Sequence, residues 1–216
     1  SYLSLTFYIF YGSITFPEKS KHFPESLWVI SLITLLINST LSFGLNLNQT
    51  SFDLEDNYPF KGNINLQKLE KTLQKYPGKI PFVLLTVTCN SNGGQPVSIE
   101  NMRDIRMLCD QYGVGFFIDG ARFAENAYFI KIREKEFANH SIKQIVKEMF
   151  SLADGMTMSA KKDGIVNMGG FIAMNDSELY KNCSTFTIMY EGFVTYGGMS
   201  GRDMGALAQG LIEGTT

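Results

Sequence analysis

The sequence has too few cysteines, histidines and basic residues for several common kinds of site. Its 216 residues include three cysteines, none in a CxxC spacing, and two histidines. This set favours neither a disulfide framework nor a zinc site, and it is typical of a reducing compartment. Nineteen basic against twenty-one acidic residues give a net charge of -2, so no basic field attracts nucleic acid. A GxGxxG turn after a strand is also missing, which argues against a Rossmann dinucleotide site.

A long uninterrupted apolar run is absent as well. Residues 27–43 come nearest to one, but polar side chains interrupt them. Their most apolar part, Leu27 to Ile37, is shorter than the roughly 20 residues that a bilayer core requires. No basic segment precedes the first apolar stretch, as it would in a signal peptide. We therefore expect a cytoplasmic protein, with membrane association left open by the apolar start.

The composition changes near Phe52. Residues 1–52 carry only four of the forty charged residues, and residues 53–216 carry the other thirty-six. We interpret residues 1–52 as an apolar segment of undetermined structure and residues 53–216 as part of a larger domain. The chain begins at Ser1 and stops just after a helical pattern, so we expect it to be a fragment.

From residue 53 onward, helical and strand patterns alternate. Apolar side chains recur at helical spacing in three segments, which predict helices: 64–76, 99–112 and 141–150. Three short apolar runs predict strands: 81–88, 114–118 and 155–158. Residues 165–174, with Gly169-Gly170 at their centre, predict two strands joined by a tight bend. Repeated strand, helix, strand units imply an α/β fold, with a mainly parallel sheet flanked by helices.

Polar side chains follow three of the predicted strands. They are Asn90, then Asp119 with Arg122, then Ser159 with Lys161 and Lys162. Chemistry in parallel sheets collects at the carboxyl ends of the strands, so we expect these side chains to converge. Each has a simpler explanation on its own, because Asp119 can cap a helix and the cations can be solvated surface charges. Together, an amine nucleophile, a carboxylate and an amide suit a pyridoxal phosphate site, where a lysine forms the Schiff base and an aspartate pairs with the pyridinium nitrogen.

Several motifs of this region occur in a specific order. They include Thr86-Val87-Thr88-Cys89-Asn90, Gly93-Gly94-Gln95-Pro96, Asp119-Gly120-Ala121-Arg122, Glu125-Asn126-Ala127-Tyr128, Ser159-Ala160-Lys161-Lys162-Asp163, Asn167-Met168-Gly169-Gly170 and Gly201-Arg202-Asp203-Met204. Over about residues 59–211, the chain resembles the tryptophanase and tyrosine phenol-lyase family of β-eliminating lyases. The resemblance implies part of the large domain of an aspartate-aminotransferase-like pyridoxal phosphate fold, known as fold type I. It also implies a carbon-carbon lyase that converts an aromatic amino acid to pyruvate, ammonia and indole or phenol.

The same resemblance implies roles for the residues around the lysine pair. Lys162, the second lysine of its motif, would carry the cofactor, with Lys161 as its supporting partner. Ser159 would contact the cofactor phosphate. Asp119 would keep the pyridine nitrogen protonated, which stabilises negative charge that develops on the substrate.

Further roles concern the substrate side of the cofactor and a cation. Asn90 and Arg122 match residues beside the cofactor's phenolic oxygen, and the asparagine can also contact the substrate carboxylate. Asn167 matches a position whose backbone oxygen helps to bind a monovalent cation, usually potassium. The family forms tetramers whose active sites are shared between subunits, so we expect a homo-oligomer.

The chain departs from the family pattern in several places. Ala160 stands where the family has glycine, and Gly120 where alanine is common. The family's phosphate-binding loop and its stacked aromatic ring have no counterpart in residues 1–58. The small carboxyl-terminal domain, with the arginine for the substrate carboxylate and the residues that select indole or phenol, is absent. We therefore expect about half of an active site and leave the choice between tryptophan and tyrosine open.

Two alternatives are kept. One is a catalytically inactive fragment that serves as a binding or membrane-tethered module. The other is a different fold type I enzyme, such as a threonine aldolase-like protein. The motifs at 125–128 and 192–203 argue against the second alternative.

Overall fold

Four strands form one mixed sheet in the part of the chain that the computed structural model describes, which is residues 57–90, 93–190 and 192–216. The strands are β1 (Phe82–Thr86), β2 (Gly115–Asp119), β3 (Gly155–Ser159) and β4 (Gly170–Met174). The first three are parallel neighbours in that order, and β4 pairs antiparallel with β3. The predicted α/β fold with a mainly parallel sheet is thereby confirmed. The expectations for residues 1–52 lie outside the described residues.

Helices connect and flank these strands. They are α1 (Leu66–Lys75), α2 (Ile99–Tyr112), α3 (Phe123–Arg133), α4 (Ile142–Ser151), α5 (Ser177–Tyr190) and α6 (Gly201–Glu213), with a short 3-10 turn at Lys135–Phe137. The three predicted helices correspond to α1, α2 and α4. Each of these helices begins after a residue whose side chain accepts a hydrogen bond from a backbone N–H of the first turn. The accepting residue is Asn65 for α1, Ser98 for α2 and Ser141 for α4. No helix among residues 57–90, 93–190 and 192–216 is long and apolar enough to cross a membrane.

The prediction of two strands in residues 165–174 is wrong. Only β4 forms, and the residues before it make a loop between β3 and β4. Local backbone bonds hold this loop, because the Ile165 N–H donates to the Lys162 carbonyl and the Ala160 N–H donates to the Gly169 carbonyl. Gly169 has a φ of 101°, which takes the chain out of the extended conformation that a strand requires.

The two faces of the sheet differ in character. One face carries Val83, Leu85, Phe116 and Ile118 into the main core, which side chains of α1, α2, α3 and α4 complete. The opposite face is apolar only near the start of the strands, where Phe82 and Phe117 pack with α5. Toward the strand ends this second face becomes polar.

Candidate active site

The polar part of the second face lies at the carboxyl ends of β1, β2 and β3. Thr86 pairs in register with Asp119, and Asp119 pairs in register with Thr157. Residues that pair in register on parallel strands point to the same face, so these three side chains form a row across the sheet. Ser159 ends β3 on the same face, and the segment 160–165 that follows it, here called the lysine loop, carries Lys162.

The first two predicted clusters meet through a hydrogen bond. Arg122 Nη1 donates to Asn90 Oδ1 at 2.6 Å. On its other side, Arg122 Nε lies 3.7 Å from a carboxylate oxygen of Glu125, which also accepts a hydrogen bond from Thr88 Oγ1 at 3.5 Å. The guanidinium is thus held between an amide and a carboxylate at the edge of the sheet. The structure thus brings Asn90 and Arg122 into contact, and their roles toward a cofactor stay a prediction.

Lys162 lies partly buried in the lysine loop, with Nζ 3.4 Å from Ser159 Oγ. Burial lowers the pKa of Lys162 from its ordinary value, and the nearby charges of Lys161 and Arg122 lower it further, against the opposing effect of Asp119. Lys161 itself is exposed in the same loop. A lysine with a lowered pKa has more of its amine in the uncharged, nucleophilic form at a given pH.

Asp119 is held at the end of β2 by its own turn. Its Oδ1 accepts a hydrogen bond from the Ala121 N–H at 3.2 Å. Burial raises the pKa of Asp119, although this hydrogen bond and the charges of Lys162 and Arg122 oppose the shift. Ala121 precedes α3, so the carboxylate does not cap that helix. The simpler explanation of Asp119 as a helix cap is therefore not what the structure shows.

The residue that caps α3 is Asp163, to which the sequence patterns gave no role. Asp163 Oδ2 accepts hydrogen bonds from the Ala124 N–H at 2.7 Å and from the Glu125 N–H at 3.0 Å. The Asp163 N–H also donates to the Ala121 carbonyl at 3.2 Å. The lysine loop is thereby joined to the start of the helix that follows Arg122. A partner almost forty residues away leaves no local signal in the sequence.

Thr157 is a second residue that the patterns missed. The residue is 4% exposed, and its Oγ1 has no hydrogen-bond partner within the described part of the chain. Buried hydroxyl groups are normally paired, so such an atom calls for an explanation. Thr157 pairs with Asp119 in the row, so the polar part of this face includes one buried hydroxyl group without a partner in the described residues.

Asn167 lies exposed in the loop between β3 and β4. Within the described ranges, its side chain forms no hydrogen bond or ion pair with the residues around Lys162. Within the same ranges, no group of three or more histidine, cysteine, aspartate or glutamate side chains is arranged to hold a metal ion. The role of Asn167 toward a monovalent cation stays a prediction.

A cavity of about 460 Å³ lies at the opposite end of the strands from Lys162. Phe82 and Gly115, at the beginnings of β1 and β2, form part of its wall together with Asp176 and Leu179 near the start of α5. This cavity is separate from the polar row.

Comparison with known proteins gives one consistent family. The family model described as "Beta-eliminating lyase" matches residues 38–212. A Trichomonas vaginalis protein named "Probable beta-eliminating lyase" is 58% identical over 163 residues, which are 76% of this chain and 36% of that protein. The tryptophanase of Hyphomonas neptunium is 54% identical, over 72% of this chain and 34% of its own length.

Two further matches complete the comparison. The tyrosine phenol-lyase of Clostridium tetani is 51% identical, over 77% of this chain and 36% of its own length. A solved structure of a candidate aromatic amino acid β-eliminating lyase/threonine aldolase from Exiguobacterium sp. 255-15 has a TM-score of 0.44 and 21% identity, over 61% of this chain and 32% of that one. The chain thus spans about a third of the length of the curated relatives that it matches.

Proposed function

Because the chain belongs to the β-eliminating lyase family, we propose that it carries the cofactor lysine of a pyridoxal phosphate-dependent lyase acting on an aromatic amino acid. In the proposed reaction, the amino acid and water give pyruvate, ammonia and indole or phenol. Relatives named tryptophanase and tyrosine phenol-lyase match with similar identity, so the proposal keeps both leaving groups. The 54% and 51% identity to relatives named tryptophanase and tyrosine phenol-lyase supports this class over a threonine aldolase-like protein.

The observation that carries the proposal is the convergence of Lys162 and Asp119 at one edge of the sheet. Pyridoxal phosphate requires an amine for its aldehyde and an anion for its pyridinium nitrogen. Lys162 offers a partly buried amine with a lowered pKa, and its charge and that of Asp119 affect each other. The orphaned Thr157 hydroxyl beside Asp119 also fits a site that a polar ring system completes. These residues therefore fit the group.

When bound, pyridoxal phosphate supplies an electron sink for the electron pair that a departing α-proton leaves behind. Lys162 Nζ would be the nucleophile toward the cofactor aldehyde and, as a free amine, would be the base that takes the α-proton. The Asp119 carboxylate stabilises positive charge on the ring nitrogen. A positive charge there favours electron flow away from the α-carbon.

Arg122, Asn90 and Ser159 orient the cofactor in this proposal. The hydrogen bond between Arg122 and Asn90 fixes a cation and an amide at the same edge, suited to the phenolic oxygen of the cofactor. Ser159, at the end of β3 and 3.4 Å from Lys162 Nζ, is suited to the phosphate, and Lys161 adds positive charge nearby. The remaining phosphate and carboxylate contacts belong, in this proposal, to parts of the relatives that the chain does not match.

Three further elements belong to the proposal. The protein acts as a homo-oligomer, a tetramer, on an amino acid substrate. It binds potassium with a contribution from the Asn167 backbone. It works in the cytoplasm. Its division into an apolar segment at residues 1–52 and a partial large domain at 53–216 is also part of the proposal.

Absorbance after addition of pyridoxal phosphate tests the cofactor part of the proposal. The protein should develop the visible absorbance of a lysine Schiff base, and Lys162→Ala should remove it. Lys161→Ala is the matched control, since it removes a neighbouring lysine of the same loop and should keep the band. A band that survives Lys162→Ala and disappears in Lys161→Ala would contradict the assignment.

A hybrid enzyme tests the activity. In the tryptophanase of Hyphomonas neptunium, the segment that matches this chain is replaced by the residues of this chain, and pyruvate release from tryptophan and from tyrosine is measured. We expect release that depends on Lys162. A folded hybrid that forms the Schiff base and yet releases no pyruvate from either amino acid would contradict the proposed activity.

A further inference from the structure

The lysine loop is hydrogen-bonded to the first turn of α3 through the carboxylate of Asp163. We propose that Asp163 is a positioning residue, which sets Lys162 in place relative to Asp119 and Arg122 by capping the helix that follows Arg122. This inference rests on the proposed function, because positioning matters for the reaction only if Lys162 carries the cofactor. It adds to that function a residue that acts through its neighbours and touches no reacting atom.

The helix α3 has no cap of its own. Arg122 occupies the position before its first residue, and its side chain caps no backbone N–H of the first turn. Two N–H groups of that turn, those of Ala124 and Glu125, would lack partners without the two hydrogen bonds to Asp163. A carboxylate at a helix amino end also interacts favourably with the helix dipole, and hydrogen bonds to an ionised oxygen are stronger than neutral ones.

The two segments that Asp163 joins, the lysine loop and the first turn of α3, each lie next to a candidate catalytic residue. Asp163 directly follows Lys162 in the chain, and the capped turn directly follows Arg122. A third hydrogen bond, from the Asp163 N–H to the Ala121 carbonyl at 3.2 Å, joins the lysine loop to the residues just before α3. Ala121 in turn donates its N–H to Asp119. Through these bonds the segments that carry Lys162, Arg122 and Asp119 are connected to one another.

The chain offers a close control for this cap. Asp176 caps α5 in the same manner, because its Oδ1 accepts hydrogen bonds from the Glu178 N–H at 2.8 Å and from the Leu179 N–H at 2.9 Å. Asp176 lines the cavity at the opposite end of the strands. Asp176→Ala therefore removes an equivalent helix cap without touching the lysine loop.

The test measures how modification is divided between Lys162 and Lys161. The protein is reacted with pyridoxal phosphate, reduced with borohydride and mapped by mass spectrometry. A displacement of about 1 Å can reduce a positioned reaction by up to about a hundredfold, so we expect Asp163→Ala to lower the Lys162 to Lys161 labelling ratio by about tenfold or more. Asp176→Ala should leave the ratio unchanged. An unchanged ratio in Asp163→Ala would overturn the proposal.

A second reagent separates this proposal from the proposed function. Reductive methylation with formaldehyde modifies both lysines without any cofactor, so its Lys162 to Lys161 ratio still reports on the loop if pyridoxal phosphate never labels Lys162. A Lys162 to Lys161 methylation ratio that differs from the parent protein's in Asp163→Ala but not in Asp176→Ala supports the positioning role. The same ratio in Asp163→Ala as in the parent protein refutes it. Should Asp163→Ala not fold, the pair Asp163→Asn and Asp176→Asn is compared in the same way, with a smaller change expected only in the first.

Discussion

Helix α6 approaches the lysine loop so closely that a side chain at one of its glycines should destabilise the fold. A Cβ added at Gly210 would lie 1.9 Å from the Gly164 carbonyl oxygen, whereas ordinary contact begins at 3.4 Å. Helix and loop would have to separate by about 1.5 Å, the difference between these two distances. Gly205, in the same helix, has nothing within 4 Å of its added Cβ and provides a matched control.

The two substitutions should change stability in opposite directions. Alanine in place of a helical glycine gains about 0.5–1 kcal/mol, because the unfolded chain loses conformational freedom. Overpacking costs about 1–3 kcal/mol, which applies only at Gly210. Gly205→Ala should therefore be more stable than the parent protein. Gly210→Ala should be less stable than Gly205→Ala by about 1–3 kcal/mol, or about 2–12 °C in Tm for a chain of this size.

Thermal unfolding followed by circular dichroism measures this difference. Since Gly164 lies two residues after Lys162, Gly210→Ala should also lower labelling of Lys162 by pyridoxal phosphate, and Gly205→Ala should not. Equal melting temperatures for the two variants would refute the close contact between α6 and the lysine loop.

Four other predictions concern the candidate site. Burial raises the pKa of Asp119 in the folded protein above its value in the unfolded chain, so the ionised carboxylate lowers the stability of the folded protein at pH 7. Asp119→Asn should therefore raise the Tm of the cofactor-free protein at pH 7. Below about pH 3.8, where the carboxyl is protonated in both states, the substitution should not raise the Tm. In the hybrid enzyme the same change should lower pyruvate release by about a hundredfold, and an unaltered rate would remove Asp119 from the mechanism. Reductive methylation of Lys162 should rise with pH around a midpoint below 10.5, since burial lowers its pKa; a midpoint at or above 10.5 would contradict the buried environment. The 216 residues alone should release almost no pyruvate from tryptophan or tyrosine, and a rate typical of enzymes would show that they contain a phosphate site that the sequence did not reveal.

Local patterns in the sequence predicted much of the fold because the signals lie within a few residues of the elements. Ser98 accepts the hydrogen bond from the Asn101 N–H that starts α2, and Gly113, with a φ of 63°, ends it. The Asp119-Gly120 pair after an apolar run also indicated where β2 ends, and the strand does end at Asp119. Strand ends in a parallel sheet meet at one edge, which is why Asn90 and Arg122 could be expected together.

Other parts of the site depend on contacts between distant segments. Asp163 bonds to residues 38 and 39 positions earlier, and nothing in the Lys-Lys-Asp sequence distinguishes a helix cap from a surface charge. Thr157 becomes a neighbour of Asp119 only through the register of β2 and β3. The loop before β4 has the apolar composition of a strand, but backbone bonds to Lys162 and Ala160 bend it.

The central claim is that Lys162 is the cofactor lysine, and peptide mapping after borohydride reduction tests it most directly. The protein is incubated with pyridoxal phosphate, reduced and digested, and the position of the pyridoxyl group is read by mass spectrometry. The structure, with Lys162 partly buried beside Ser159 and Lys161 exposed, predicts that the label is on Lys162. A label on Lys161, or one spread evenly over the exposed lysines, would contradict the account.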